Sequence, residues 1–280
     1  MTGPAVPPLN RVAPTLDVIM NTDLAARWSN ALAAWGIPQH ILDQAPQSPW
    51  IHPVQSFRPT GDLSVDTPSR HRALDALEPS DQPSVLDVGC GGGRAAFGLT
   101  PPATHVIGVD HQQAMLDVFA EETTRRGVSF ETILGDWPDV AGRTPSADVV
   151  TCHHVLYNVR DLMPFVQALN SRALRRVVVE LPQLHPLSWL SPLWKHFWDL
   201  ERPDSPTCDD ALAVVRAAGF DAQLERFHVE HAPGPITDEH VEFTRIRLCL
   251  PASRDPEVRQ LLEVHPAYGR EFATIWWDAR

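Results

Sequence analysis

The stretch that most constrains the fold is VLDVGCGGGRAA, residues 85–96, in which an apolar run enters a cluster of glycines and a helical pattern follows. Glycine accepts positive φ angles and lets a ligand approach the backbone closely. The stretch therefore predicts a buried strand, a tight turn and a helix. A dinucleotide, a phosphate or another small ligand can occupy such a turn.

The same alternation of strands and helices continues along the chain. Short apolar strands are predicted at 84–89, 105–110, 128–136, 147–153 and 175–182, with helical patterns between most of them. This order is typical of a parallel sheet covered on both faces.

Two further strands are predicted at 220–230 and 241–250, the second because apolar and polar residues alternate from 245 to 250. Such alternation favours an antiparallel partner with one wetter face. The sequence thus predicts a doubly wound α/β fold with a seven-stranded, mostly parallel sheet and an antiparallel last strand.

The chain is interpreted as a main domain with additions at both ends. Residues 1–66 are expected to form a tail and an N-terminal helical cap, and residues 67–250 the α/β domain. Residues 183–206, rich in Trp and Pro, interrupt the pattern as an aromatic insertion. Residues 251–280 are expected to form a C-terminal helical extension.

Composition argues against nucleic-acid, membrane and metal partners. The formal net charge of -12 argues against a nucleic acid as the main partner, because phosphates are held by basic faces. No apolar run approaches the ~20 residues that span a bilayer, and the first residues lack a secretory pattern. The four cysteines are far apart, which favours reduced thiols in the cytoplasm. No His or Cys cluster has metal-ligand spacing, so no metal is expected.

The glycine cluster does not match the usual phosphate-binding patterns. The dinucleotide fingerprint requires a third glycine where Arg94 stands, and no Gly-Lys-Ser/Thr follows the turn. Instead, Asp87 precedes Gly89 and Gly91 in a D-x-G-C-G-x-G pattern that ends at Gly93. This pattern resembles the first motif of the class I S-adenosylmethionine-dependent methyltransferases.

Three further motifs extend the resemblance over about residues 84–182. It implies that Asp110, after the second strand, holds the ribose hydroxyls, and that Asp136 meets the adenine amine. Trp137 or His111 would lie against the purine. The fourth strand, ADVVTCHHVLYNVRDL, would meet the methionine part through its backbone. The residues expected to bind S-adenosyl-L-methionine are Asp87, Gly89, Cys90, Gly91, Gly93, Asp110, His111, Asp136, Trp137, Cys152, His153 and Arg70.

Candidates for catalysis and acceptor binding follow the fourth strand and lie in the aromatic insertion. His153 and His154 are candidate general bases, of which at most one faces the site because neighbouring strand residues point to opposite faces. The superfamily has no universal catalytic residue. Tyr157, Trp194 and Trp198 are expected to contact the acceptor.

The sequence therefore predicts a cytoplasmic methyltransferase that acts on a small molecule. Neither a nucleic acid nor a membrane is expected as a partner. The alternatives are a non-catalytic S-adenosylmethionine-binding protein and a methyltransferase that acts on a macromolecule. An NAD-type oxidoreductase is disfavoured by the missing third glycine and by the Gly-Asp-Trp triplet at 135–137. The methylated atom and the oligomeric state stay open.

Overall fold

The structure is a computed structural model that describes residues 16–50, 58–61, 63–78, 80–230, 235–265 and 270–279. The strands are β1 Ser84–Val88, β2 His105–Asp110, β3 Ser129–Leu134, β4 Ala147–His153, β5 Ala173–Pro182, β6 Gln223–Val229 and β7 Arg270–Asp278. The helices are α1 Leu16–Ala33, α2 Gln39–Leu42, α3 Pro68–Leu77, α4 Arg94–Phe97, α5 Gln113–Arg126, α6 Leu162–Arg172, α7 Ser191–Trp198, α8 Cys208–Ala217, α9 Asp238–Arg247 and α10 Asp255–Val264.

The seven strands of this part of the chain form one sheet in the order β3-β2-β1-β4-β5-β7-β6. Strands β1 to β5 pair in parallel, and β7 runs antiparallel to both β5 and β6. The predicted doubly wound α/β fold with an antiparallel last strand is confirmed. From β1 the chain proceeds to β2 on one side and later to β4 on the other, so a crevice opens at the carboxyl ends of these strands.

Both faces of the sheet are covered by helices. Helices α1, α6 and α8 contribute to an apolar cluster on one face, and α3, α4 and α5 contribute to another on the opposite face. Trp28 of α1 is buried, stacks on Tyr157 and donates from Nε1 to the Val159 carbonyl at 2.7 Å. The first helix is thus packed into the layer beside the sheet.

A third apolar cluster lies among α2, α7, α9 and α10. We call it the helical lobe; it includes Ile41, Leu193, Trp194, Val241 and Leu262. No helix in the described part of the chain is long and apolar enough to cross a membrane.

The strand prediction for 241–250 is wrong. Most of this segment lies in α9, where Thr237 caps the helix by accepting from the His240 amide. Buried residues recur at helical spacing from Val241 to Leu248, which the alternation at 245–250 concealed. The last strand is β7, so the segment 251–280, expected to be a helical extension, contains α10 and then this strand.

Candidate functional site

The turn between β1 and α4 is shaped by three glycines with positive φ. Gly89 has φ +71°, Gly91 has φ +48° and Gly93 has φ +90°. A Cβ atom on Gly89 would lie 2.5 Å from a methyl group of Val155, and one on Gly93 would lie 2.5 Å from the ring of Phe97 and 2.8 Å from that of Phe119. Larger residues would therefore both strain and block this turn.

Asp110, at the end of β2, is tied to the same turn. Its Oδ2 accepts from the Gly91 amide at 3.0 Å, and its Oδ1 accepts from the Gln112 amide at 2.9 Å. Each carboxylate oxygen keeps a further lone pair. The side chain is 8% exposed and lines a cavity, so its free acceptor sites can meet a ligand with two neighbouring hydroxyls. His111 follows it and lines the same cavity.

Asp87 lies beneath the turn and is almost completely buried. It accepts from the Thr151 hydroxyl at 3.0 Å and from the Ala96 amide at 3.3 Å. Burial raises the pKa of Asp87 to about 7, with a smaller contribution from the charge of Asp110, even though the two hydrogen bonds oppose the shift. The free protein thus holds a proton on this carboxyl at mildly acidic pH.

The loop after β3 supplies an aromatic wall. Asp136 is exposed and Trp137 is half-buried, and both line the cavity. The Trp137 indole donates to the Phe165 carbonyl at 3.3 Å, which fixes the ring. A rigid indole beside an exposed carboxylate is suited to a planar base with an exocyclic amine.

The ends of β4 and β5 add a polar group of side chains to the same cavity. His153 is the register partner of Glu180. The Nε2 atom of His153 is buried and has no hydrogen-bond partner among the residues that the structure describes. The adjacent His154 has φ +61° and places its Nε2 3.3 Å from Oε1 of Glu180. Both neighbouring histidines therefore lie at the site, contrary to the expectation that at most one does, because positive φ turns the chain at His154.

The cavity that joins these groups has a volume of about 1030 Å³. Within the described part of the chain, four carboxyl groups and two guanidinium groups face it, belonging to Asp87, Asp110, Asp136, Glu180, Arg70 and Arg94. The excess of carboxyl groups favours a cationic ligand. Arg70, in the first turn of α3, donates to the Gly98 carbonyl at 2.9 Å and is only half-buried, so it can still reach an anionic group.

Most of the residues expected to bind the cofactor are brought together here. Those that line the cavity are Arg70, Asp87, Gly89, Cys90, Gly91, Asp110, His111, Asp136, Trp137 and His153. Gly93 shapes the turn from behind. Cys152 lies in the apolar core beneath the sheet because it alternates with cavity-facing Thr151 and His153.

The three residues expected to contact the acceptor do not line the cavity. Tyr157 is buried, and its hydroxyl donates to the carbonyls of Pro182 at 2.9 Å and Gln183 at 3.1 Å. Trp194 is buried in the helical lobe, and Trp198 donates from Nε1 to the Leu248 carbonyl at 2.7 Å. In this geometry their aromatic surface packs against other parts of the fold, and their contact with the acceptor stays a prediction.

Several cavity residues escaped the sequence analysis. Glu180 is a charged residue near the end of the apolar strand RRVVVELP, which is a signal that could have identified it. Thr151 could have been identified because it lies two residues before His153 and alternate residues of a strand face the same side. Phe227 and Phe272 also line the cavity, but Phe272 lies on a strand that the sequence did not predict. Among the described residues, no group of three His, Cys, Asp or Glu side chains is arranged to hold a metal ion.

Comparison with known families identifies the central part of the chain. Residues 85–176 match the family described as "Methyltransferase domain". The chain is 32% identical over 135 residues to the ubiquinone biosynthesis O-methyltransferase of Marinobacter nauticus, covering 46% of this chain and 54% of that protein. It is 36% identical over 126 residues to the nocamycin O-methyltransferase of Saccharothrix syringae, covering 44% and 41%. The chain therefore spans about half the length of the curated relatives it matches.

Solved structures support the fold. The YcgJ protein of Bacillus subtilis aligns with a TM-score of 0.51 and 17% identity, covering 76% of this chain and 98% of that chain. A methyltransferase from Thiobacillus denitrificans, solved with S-adenosyl-L-homocysteine, aligns with a TM-score of 0.50 and 16% identity, covering 81% and 96%.

Proposed function

Since the chain belongs to the class I, Rossmann-like methyltransferase superfamily, we propose that it transfers a methyl group from S-adenosyl-L-methionine to a small-molecule acceptor. One observation carries the proposal. The ends of β1, β2 and β3, with the glycine turn, Asp110 and Trp137, converge on a single cavity.

The residues present fit this cofactor. The Asp110 carboxylate, held by two backbone amides, has acceptor sites for the ribose diol. Asp136 can accept from the adenine amine, and Trp137 offers its face to the purine. Gly89 and Gly91 line the cavity, so their backbone is accessible to the methionine end, whose carboxylate is a group that Arg70 can bind.

When bound, the cofactor supplies an electrophilic methyl carbon on a positively charged sulfur. The side chains of this protein bind and orient it. The predominance of carboxyl groups around the cavity favours that charge.

The cavity dimensions and the charge of the chain support a small acceptor. A volume of about 1030 Å³ is at the upper end of the range for small-molecule sites, enough for a nucleoside cofactor and a second small molecule. The net charge of -12 disfavours a polyanion. The names of the curated relatives, both O-methyltransferases, support oxygen as the accepting atom. A cytoplasmic site of action stays a prediction, consistent with four free, buried cysteines.

Calorimetry with S-adenosyl-L-homocysteine tests cofactor binding. Asp110→Asn removes the charge but keeps the shape, and should weaken binding at least ~10-fold, as expected when a charged hydrogen-bond acceptor is lost. Asp117→Asn is the matched control, since Asp117 is exposed on α5 and accepts a hydrogen bond from its own helix neighbour Gln113. Equal affinity of the Asp110 variant and the wild type would contradict the assignment of Asp110.

Incubation with methyl-labelled S-adenosylmethionine and a cell extract tests the reaction. We expect label in the small-molecule fraction. Label in protein or nucleic acid would favour a macromolecular acceptor, and tight cofactor binding without any labelled product would favour a non-catalytic binding protein.

A further inference from the structure

One end of the cavity is formed by residues on β4, β5, β7 and β6 that the proposed cofactor contacts do not use. We call it the acceptor end; it comprises His153, His154, Glu180, Phe227 and Phe272. It combines an unpaired imidazole nitrogen, a carboxylate and an apolar wall.

The imidazole of His153 is poised to accept a proton. Its Nε2 is buried, and no atom in the described part of the chain bonds it, which is costly unless a ligand supplies a partner. Burial lowers the pKa of His153, and the neighbouring His154 acts in the same direction, against the opposing effect of Glu180. The ring is therefore neutral near pH 7, and a neutral imidazole has one nitrogen that accepts a proton.

Glu180 is held in place beside this ring. It pairs in register with His153 on one side and with Thr274 on the other. Thr274 exchanges a hydrogen bond with Ser69 of α3 at 2.6 Å, which ties the strand to the helix. Burial raises the pKa of Glu180, but the charged forms of His153 and His154, with hydrogen bonds to His154 and Ser69, bring it below its ordinary value. An ionised carboxylate therefore lies beside the neutral ring.

The apolar wall lies against the same polar group. The ring of Phe272 meets that of His154 edge-on, with centroids 5.6 Å apart. Phe227 stacks on Phe272 with centroids 5.8 Å apart and an interplanar angle of 25°. Val229 extends this surface along the cavity. A flat, apolar molecule packs well on such stacked aromatic rings.

We propose that the acceptor end binds a flat aromatic or conjugated molecule through an ionisable hydroxyl, with His153 as the proton acceptor and Glu180 as a positioning residue. This inference rests on the proposed methyltransferase function. The O–H bond of the acceptor breaks as its proton moves to Nε2 of His153. The oxygen bonds to the methyl carbon, and the electrons of the broken S–C bond stay on sulfur. The positive charge thus passes from sulfonium to imidazolium, where Glu180 stabilises it.

The charged groups around His153 agree with this role. Glu180 faces it from β5 and His154 follows it on the chain. Asp87 on β1 lies further along the same face. It accepts a hydrogen bond from Thr151, which is two positions before His153 on β4. Arg70 of α3 donates a hydrogen bond to the Gly98 carbonyl. Of these groups, the ionised carboxylate of Glu180 on β5 favours imidazolium once the proton arrives.

The test uses 4-nitrophenol, an ionisable aromatic hydroxyl whose phenolate absorbs visible light, with protein saturated by S-adenosyl-L-homocysteine. In the wild type, the bound probe should be ionised at a pH where the free probe is neutral. His153→Gln should lower the ratio of bound phenolate to bound phenol at least tenfold, which is a rise of about one unit in the pKa of the bound probe. Glu180→Gln should raise that pKa while the probe still binds.

His228→Gln is the matched control. His228 forms another histidine–carboxylate pair between adjacent strands, with Nδ1 2.8 Å from Glu271, but this pair is exposed and does not line the cavity. The variant should ionise the probe as the wild type does. An unchanged ratio in His153→Gln, or no saturable binding of the probe to the wild type, would overturn the inference.

Calorimetry with S-adenosyl-L-homocysteine separates this outcome from failure of the proposed function. If the cofactor product binds but the probe is not ionised, the inference about His153 fails alone. If the cofactor product does not bind, the methyltransferase proposal fails first. The Glu180 variant should bind the cofactor product within twofold of the wild type.

Discussion

The buried carboxyl of Asp87 makes a quantitative prediction about stability and pH. Its pKa rises from 3.8 to about 7 on folding, chiefly through burial. Between these two values the folded state keeps a proton that the unfolded state has released. Stability must therefore fall as the pH rises through this window. About three pH units at about 1.4 kcal/mol each give a loss of about 4 kcal/mol from this group.

The substitution Asp87→Asn removes the titration and keeps the size of the side chain. Other groups titrate alike in both proteins, so the difference in unfolding free energy between variant and wild type isolates Asp87. That difference should shift in favour of the variant by about 4 kcal/mol from pH 4 to pH 7.5. The assay is urea unfolding without ligand, followed by tryptophan fluorescence at half-unit pH steps.

Asp148 provides a control of opposite sign. Burial raises its pKa, but hydrogen bonds from Ser84, Arg175 and Ser80 together lower it below the ordinary value. Its contribution is present above the unfolded pKa and is lost as the pH falls, so Asp148→Asn should cost most at neutral pH. A pH-independent difference for Asp87→Asn, with the expected slope for Asp148→Asn, would refute the buried, protonated state of Asp87.

Three further predictions follow from the packing and the charge. Trp194→Ala should destabilise the protein by about 3–5 kcal/mol through the cavity it leaves, and while folded it should transfer the methyl group as the wild type does in the labelled-extract assay; a loss of turnover by the folded variant would favour contact between Trp194 and the acceptor. Gly89→Ala should cost at least ~1 kcal/mol of stability, because alanine resists φ +71° and meets Val155 at 2.5 Å, and should also impair cofactor binding; normal calorimetry and melting would contradict this. Methyl transfer should change little between about 50 and 200 mM salt, and a steep loss in a filter assay would indicate a nucleic-acid acceptor.

The centre of the fold could be predicted from the sequence because both faces of its strands are buried. The bounds of β2, 105–110, and β4, 147–153, agree with the prediction to the residue. Both are near-continuous apolar runs, which parallel strands require. Site residues at the ends of these strands then follow from topology, since ligands of such sheets bind at the carboxyl ends.

The segments after β5 could not be predicted in the same way. At 241–250 the alternating pattern matched a strand, while Thr237 and the acidic residues after it signalled the start of a helix. Choosing the strand left β7 unassigned, although FATIW within it has the β-branched and aromatic residues of a strand. Trp194 is clearly apolar, but the sequence around it does not indicate which apolar surface it packs against.

The two ends of the cavity lie in different parts of the sequence, which bears on how the acceptor is selected. The family match ends at residue 176, just before Glu180, and the aromatic wall of Phe227 and Phe272 comes later still. The cofactor contacts proposed on β1, β2 and β3 lie inside the matched segment, whereas the acceptor end lies largely outside it. Proteins that share the matched segment can therefore bind one cofactor and differ in acceptor. It follows that exchanging Phe227 or Phe272 should alter acceptor choice with little effect on cofactor affinity, whereas exchanging Asp110 should do the reverse.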